Sequence, residues 1–519
     1  MLPCRQRFQS EGWSSKYLLI LIVLASIWAI ENFIMQASAF ASPPVTSHPY
    51  FIQEVRLILN FTVAVAILLV CSQPVLVMIL AGNLILSVIV VTYNHYFHHT
   101  FSVYYGIKAL KESSQAGSFG LHLIPLTSGL FLLGTFTVKL LLLLKIPPRP
   151  VKFCRVGALL CLLTAGSIIL ALQCTHFAFR SIAYTRVTRA VYAYGYLNSW
   201  IAEFFVAPDT REVARELAAL QSVSPDRLSA AEIPWQFGTN VVVVQLESFG
   251  WNVMDYSING QKVMPYVSGL AMNSRLFKIQ AYHHVSSGDM DYAVLSDGTP
   301  TKRMISYLVP NVHYTNALPR FMQKHGFHTV AMHGANGDFF DRRGNYERMG
   351  FDEIWFQEDF RGRTFEHSYW GVKDAELFRM SSARMRDADR PQFHFIISLD
   401  SHGPFDLIGD AEKEIFPKSR VWQENYFNSM RALDRDLRGY VESLPNGTLV
   451  ILYGDHTSSV DYGDFHSAHE GQVEYVPCIV HVCQDKRIQQ TRFSTPESVP
   501  EDLRILDVMN FLRRQIAAR

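Results

Sequence analysis

Five apolar stretches crowd the first 175 residues, at about 17–35, 57–73, 75–93, 121–144 and 156–173, each near the length that crosses roughly 30 Å of hydrocarbon. Charge is scarce there: of 47 Lys+Arg in the chain only 11 fall in residues 1–175, and of 46 Asp+Glu only 4, all of them Glu. Such a segment has one economical solution, an N-terminal transmembrane bundle of five helices over 1–175, with a charged globular region after it. The second and third stretches are separated only by Ser72, Gln73 and Pro74, which predicts a tight helical hairpin. A cleaved signal peptide is the rival reading of the first stretch. It is longer than a usual signal core and four more follow, so it is read as an anchor.

Short-loop charges set the orientation. Arg5, Arg7 and Lys16 precede the first stretch, and Lys145, Arg149, Lys152 and Arg155 follow the fourth, so both regions are expected in the cytoplasm. The connection at 36–50 carries no charge, which suits the outer side, while Lys108 and Lys111 vote weakly the other way. Five crossings from an inner N-terminus put everything after Cys174 outside the cytoplasm. Glu31 reads as an interface-level carboxylate rather than a lipid-handling group. His95, His98 and His99 read as an interfacial aromatic belt rather than a metal site.

Residues 176–237 interleave Arg180, Arg186 and Arg189 with Tyr184, Tyr192, Tyr194, Tyr196 and Trp200 before a charged stretch. They are expected to be juxtamembrane interfacial helices and a linker. A net charge of +1 without a Lys/Arg run excludes a nucleic-acid binder of the basic kind, and 13% aromatics excludes large-scale disorder. The seven cysteines are no disulfide scaffold. Cys478 and Cys483, five apart in a strand-like run, fall on opposite faces, and no CxxC occurs.

From 238 to 519 the pattern changes to short β-branched runs alternating with helical segments, the mark of an α/β domain with a mainly parallel sheet. Runs at 241–246, 329–332, 393–399 and 448–453 are apolar enough for burial on both faces. Each is followed at once by polar residues: Glu247; His333; Asp400 and His402; Asp455 and His456. Ligand crevices of open α/β sheets lie at the carboxyl ends of strands, so these endings are expected to converge. Glu247, Asp455 and His456 offer two carboxylates and an imidazole, a ligand set for one divalent ion, Zn²⁺ or Mn²⁺, with a position left open. Ser286-Ser287-Gly288-Asp289 precedes a predicted helix. It is either an N-cap or a hydroxyl nucleophile placed where backbone N–H groups favour a phosphoryl anion.

Five segments, in order, carry a resemblance: Val-Val-Gln-Leu-Glu-Ser-Phe (243–249), Ser-Ser-Gly-Asp (286–289), His-Gly-Ala-Asn-Gly-Asp-Phe-Phe-Asp-Arg (333–342), Ser-Leu-Asp-Ser-His-Gly-Pro-Phe (398–405) and Tyr-Gly-Asp-His (453–456). Over about 238–485 the chain resembles the alkaline phosphatase/sulfatase superfamily, in its lipoteichoic acid synthase-like branch of membrane phosphoglycerol and phosphoethanolamine transferases. The resemblance implies Glu247, Asp455, His456 and Ser287 as metal ligands and Ser287 as nucleophile, where the family commonly has Thr. Ser286 is the neighbouring alternative. It further implies that Arg342 and His402 hold the substrate phosphate and that His333 walls the site. Phe340 stands where lipoteichoic acid synthases usually place Trp against glycerol, which leaves glycerol phosphate specificity open. His466 and His469 fall where some relatives bind a second metal, or face solvent.

The activity so implied is a two-step transfer of a phospholipid headgroup phosphate, from phosphatidylglycerol or phosphatidylethanolamine, through a phospho-Ser intermediate to an envelope glycan. It would take place at a bacterial-type plasma (inner) membrane, in a multi-pass protein with its C-terminal domain extracytoplasmic. A sulfatase proper is not expected, because Gly-Asp-Met-Asp follows Ser287 in place of the x-Pro-x-Arg that formylglycine formation needs. A phosphatase or phosphodiesterase with water as acceptor is the closest rival. An inactive sulfatase-like membrane scaffold or sensor is the rival from another class.

Overall fold

In the computed structural model, the described residues are 15–38, 60–69, 71–97, 126–146, 210–220, 228, 240–483 and 502–518, apart from 363, 368–369, 404, 406–407 and 469–471. The chain forms two compact units, Met1–Ala207 and Pro208–Arg519.

In the first unit, α1 (Ser15–Ser38), α2 (Gln73–Phe97) and α3 (Leu126–Leu144) are apolar helices, joined by a shorter one at Asn60–Leu69. Gln73–Thr92 and Leu126–Leu144 are long and apolar enough to cross a membrane. Around Ser72–Pro74, where a hairpin is expected, helix is described over 60–69 and again from Gln73, and residue 70 lies outside the described residues. The stretch at 156–173 and the segment 176–205 lie outside the described residues, as do parts of 57–73 and 121–144. Leu21, Leu24, Ala25, Leu68, Leu76, Leu80, Leu143 and Ile146 form the unit's core. Gln73 Nε2 donates to the carbonyls of Leu143 and Ile146 at the end of α3. Glu31 departs from the interface reading. It is 2% exposed and pairs with Lys139 Nζ at 2.7 Å, while Asn83 Nδ2 donates to its other oxygen at 3.2 Å. A carboxylate in an apolar helix core is retained only with such partners.

The second unit is a layered α/β domain. Its strands are β1 (Val241–Leu246), β2 (Ser257–Ile258), β3 (Gln261–Lys262), β4 (Arg275–Gln280), β5 (His328–His333), β6 (Glu353–Trp355), β7 (Gln392–Ile397), β8 (Leu449–Gly454), β9 (Asp461–Tyr462), β10 (Phe465–His466) and β11 (Tyr475–Val482). Seven of them form one sheet in the order β4-β11-β8-β1-β7-β5-β6, and the short β2/β3 and β9/β10 pairs stand apart. All neighbours pair in parallel except β11, which runs antiparallel to both β4 and β8. The sheet is therefore mainly parallel, as the unbroken apolar runs require: β1, β7 and β8 are buried along their whole length.

Helices cover the sheet. The helix α4 (Thr210–Leu220) is tied to this unit by Arg303, which pairs with Glu212 at 3.1 Å and Glu216 at 3.7 Å. Further along come α5 (Gly288–Ser296), α6 (Arg342–Met349), α7 (Asp374–Asp387) and α8 (Trp422–Ser443). On α8 one face, with Tyr426, Phe427, Met430, Leu433, Leu437 and Val441, packs into the main core. Cys478 and Cys483 are both free and buried.

Candidate active site

Parallel pairing of β1 with β8 aligns Leu246 with Gly454, so Glu247 and the Asp455–His456 pair leave the same edge of the sheet side by side. Ser248 takes a left-handed backbone (φ 56°), turning the chain sharply after Glu247. Asp455 Oδ1 accepts the backbone N–H of Ser248 at 2.9 Å and of His456 at 2.7 Å, while its Oδ2 is buried with no hydrogen-bond partner. Glu247 Oε1 accepts the Ser248 hydroxyl at 3.0 Å and lies 3.2 Å from His456 Nε2. His456 Nδ1 donates to the Thr457 carbonyl at 2.8 Å, which turns Nε2 toward the carboxylates. One ligand atom from each of Glu247, Asp455 and His456 falls within 4.8 Å of the others.

Electrostatics describe a cluster short of positive charge. Burial alone would raise Glu247, but His402 and His456 pull it below the usual carboxylate range. Asp455 goes well above that range, through burial and the charge of Glu247. Burial would lower His456, yet Asp455 and Glu247 hold it well above the ordinary imidazole range. An orphaned buried carboxylate oxygen, a second carboxylate and an imidazole with its other nitrogen engaged are a donor set that suits a divalent cation.

The segment around Ser286 and Ser287 is braced from within. Asp289 Oδ2 accepts the backbone N–H of His284 at 2.8 Å, of Val285 at 2.9 Å and of Ser286 at 3.4 Å. Burial lifts the Asp289 carboxyl to about 6, against the pull of those N–H groups. Ser287 occupies the N-cap of α5 but makes no side-chain cap bond, so its partly exposed hydroxyl is not spent on the helix. Ser286 is 8% exposed and its hydroxyl has no partner. A Cβ on Gly288 would meet Phe340 Cδ2 at 3.1 Å, Ser286 Oγ at 3.4 Å and Arg342 Nη2 at 3.5 Å, so glycine keeps a space open among these three side chains.

Arg342 is 3% exposed and reaches that space from α6. Its Nε and Nη2 bond Asp291 at 3.1 and 3.3 Å, and Tyr307 and Tyr346 hydroxyls donate to the same carboxylate at 3.0 and 2.8 Å. Asp291 thus orients a permanently charged guanidinium. Phe340, also with a left-handed backbone (φ 59°), lies 5.1 Å from the Arg342 guanidinium carbon. His333 Nδ1 donates to Ile397 O at 3.1 Å, and burial, then Arg342, lowers the imidazole to about 3. His402, tilted against Trp370 at 4.6 Å, lies close enough to shift both Glu247 and His333.

The remaining candidates lie elsewhere. His466 is exposed on β10, 3.4 Å from Asp461, and His469 is outside the described residues. Asp400 accepts the Asp374 N–H at 2.9 Å at the start of α7. The residue patterns did not single out Ser248, Asp291 or the contact between His283 and Glu474. Of these, only Asp291 carries a sequence signal that could have found it, its spacing of one helical turn from Ser287.

The Sulfatase family profile matches residues 239–497. Lipoteichoic acid synthase-like YvgJ of Bacillus subtilis (strain 168) is 22% identical over 249 residues, covering 46% of this chain and 39% of that protein. Lipoteichoic acid synthase 1 of the same organism is 26% identical over 241 residues, 42% of this chain and 36% of that one. The chain thus spans less than two fifths of the length of these curated relatives. Among solved structures, the integral membrane protein lipooligosaccharide phosphoethanolamine transferase A from Neisseria meningitidis superposes with a TM-score of 0.56 at 13% identity, over 89% of this chain and 88% of that one. That likeness is one of fold. Residues 239–497 thus form a Sulfatase-family domain built on these strand ends, similar in sequence to lipoteichoic acid synthases of Bacillus subtilis.

Proposed function

We propose that the chain is a membrane-bound phosphotransferase. It would move a phosphoglycerol or phosphoethanolamine headgroup from phosphatidylglycerol or phosphatidylethanolamine to a hydroxyl of an envelope glycan. The observation that carries this reading is an uncommitted hydroxyl, Ser287, at the N-cap of α5, beside Gly288, whose open face meets the buried Arg342 guanidinium. Backbone N–H groups and a guanidinium together suit a phosphoryl anion. The names of the relatives, lipoteichoic acid synthases and a phosphoethanolamine transferase, support the substrate class.

Glu247, Asp455 and His456, with the Ser287 hydroxyl, would hold one divalent ion, Mn²⁺ or Zn²⁺, which when bound supplies the positive charge that lowers a hydroxyl pKa and neutralises phosphoryl oxygens. Ser287 Oγ attacks phosphorus, a bond to phosphorus forms, and the bond to the diacylglycerol oxygen breaks. Diacylglycerol leaves as the alcohol. In the second step the acceptor hydroxyl takes the phosphoryl group and Ser287 is regenerated. Arg342 and His402 bind the phosphoryl oxygens, and His333 and Phe340 wall the headgroup. The topology proposed is multi-pass in a bacterial-type plasma membrane, with residues 238–519 extracytoplasmic, where outer-leaflet donors lie.

The test is to incubate the purified full chain in lipid micelles with headgroup-labelled phosphatidylglycerol or phosphatidylethanolamine. Diacylglycerol release together with label on the peptide containing Ser286 and Ser287 is the expected result. Release without transfer to any added glycan would turn the reading toward hydrolysis, and release from neither lipid would overturn it.

A further inference from the structure

A second group of metal-capable side chains, His283, His456 and Glu474, shares His456 with the candidate ligand set. In the sheet order β4-β11-β8, the antiparallel β11 lies between two strands that run the other way. Its first residue therefore sits where β4 and β8 end. The loop leaving β4 runs to Ser287, and the loop leaving β8 carries Asp455 and His456. Glu474, one residue before β11, continues the ladder: its carbonyl accepts the Ala281 N–H at 2.9 Å.

Its carboxylate then divides between the two loops. Oε1 lies 2.8 Å from His283 Nδ1, four residues ahead of Ser287. Oε2 accepts the Thr457 N–H at 2.8 Å and the Thr457 hydroxyl at 3.0 Å. Thr457 in turn supplies the carbonyl that holds His456 Nδ1. The His283 ring stacks on the His456 ring at 4.4 Å and 19°. Glu474 is thus bonded to both loops at once, and the loop on the His283 side is already closed by Asp289. A displacement of Glu474 would move His456 relative to Ser287 and leave each loop's internal bonds intact.

We propose that Glu474 is a positioning residue, with His283 as its partner, that fixes the separation between the metal-ligating His456 and the nucleophile Ser287. The proposal rests on the reading of Glu247, Asp455 and His456 as a metal site. Groups that orient a metal-bound histidine through its second nitrogen govern metal affinity as well as rate. Here that control reaches His456 through Thr457, one bond further out.

The test measures Mn²⁺ binding to the purified full chain in detergent by calorimetry and by the Mn²⁺ electron spin resonance signal, neither of which needs turnover. Glu474→Ala is expected to bind Mn²⁺ about 10–100-fold more weakly than the parent chain, with a changed resonance line shape. Glu474→Gln keeps an acceptor for Thr457 and a polar partner for His283, and is expected to restore most of the affinity. His283→Ala opens only the nucleophile side and should alter the line shape with a smaller loss. Asp455→Ala serves as the control that abolishes binding. Parent-like affinity in Glu474→Ala, with binding lost in Asp455→Ala, overturns the positioning role and leaves the metal site standing. Equal loss in Glu474→Gln and Glu474→Ala also overturns it, since charge and not position would then be what matters. Parent-like binding in Asp455→Ala overturns the metal reading itself. Should Glu474→Ala not fold, Thr457→Val and His283→Ala carry the same comparison from the two sides of the brace.

Discussion

Lys139 Nζ stands 2.7 Å from Glu31 Oε2, with each side chain 1% exposed and the two residues 108 positions apart in the chain. The pair joins α3 to α1, and Asn83 on α2 completes it by donating to Glu31 while accepting from Trp28 Nε1 at 3.2 Å. Three helices therefore meet at one polar point inside an apolar core. Removing one partner leaves the other buried and unpaired, which costs more than removing both. Lys139→Met alone is expected to destabilise the protein by about 3 kcal/mol, and the double variant Glu31→Gln/Lys139→Met to recover most of that loss. Thermal unfolding of the detergent-solubilised chain measures both. Additive losses would show that the pair is not coupled.

Ion removal tests the carboxylate cluster. Asp455→Ala deletes the orphaned Oδ2 and also the acceptor for the Ser248 and His456 N–H groups. Chelation of the parent chain should abolish transfer, and Mn²⁺ or Zn²⁺ should restore it. Asp455→Ala should stay inactive at any ion concentration. Full activity of that variant in ion-free buffer would exclude a metal role for the cluster.

The two adjacent serines should behave differently. Ser287→Ala is expected to lose turnover and covalent labelling together, since a methyl group can neither ligate an ion nor attack phosphorus. Ser286 has a buried hydroxyl without a partner, so Ser286→Ala should leave stability within about 1 kcal/mol of the parent or slightly above it. It should retain at least part of the activity. Mass spectrometry of the labelled peptide assigns the site, and labelling that survives in Ser287→Ala but not in Ser286→Ala would move the nucleophile by one residue.

Gly454 ends β8 immediately before Asp455. A Cβ there would lie 1.9 Å from the Phe249 carbonyl oxygen, a backbone atom with nowhere to go. Gly454→Ala is expected to destabilise the domain by ~3 kcal/mol and to displace Asp455 from Glu247. Denaturant unfolding reads the first effect and Mn²⁺ affinity the second.

Acid should weaken one surface network away from the site. Burial would raise Glu353, but His328 at 2.9 Å, Trp355 Nε1 at 3.1 Å and Arg384 at 2.6 Å hold it down to about 2 from 4.5. A depressed carboxyl pKa stabilises the fold above the unfolded value, and that contribution is lost as pH falls from about 4.5 toward about 2. At 34% side-chain exposure, solvent screening reduces the contribution to about 1 kcal/mol. Glu353→Gln should therefore be less stable than the parent at pH 7, and the gap should narrow as pH falls below 4.5. A gap unchanged down to pH 3 would exclude this linkage.

Much of the site was legible because its signals are local. Strands β1, β5, β7 and β8 announce themselves as apolar runs, and each ends in polar residues, so Glu247, His333, Asp455 and His456 could be placed at one sheet edge from order alone. The left-handed Ser248 and Phe340 left no such mark, because a non-glycine residue at positive φ has no composition signal. Glu31 was misplaced for a related reason. Its partner Lys139 sits in a different apolar run, and spacing along one helix says nothing about which faces of two helices meet.

The amino-acid order by itself determined the division into an apolar first third and an α/β domain, the parallel strand set, and which residues are candidates for ligand and nucleophile chemistry. Those properties depend on hydrophobic period and on residues near one another in the chain. Only the tertiary structure decided that the antiparallel β11 runs between β4 and β8, and hence that Glu474 bonds both His283 and Thr457. It likewise decided that Asp291 holds Arg342, that Gly288 leaves the space before it open, and that Lys139 neutralises Glu31. The physical reason is the same in each case. A buried charge must find its partner in space, and strand order and helix packing, which no short stretch of sequence encodes, choose that partner.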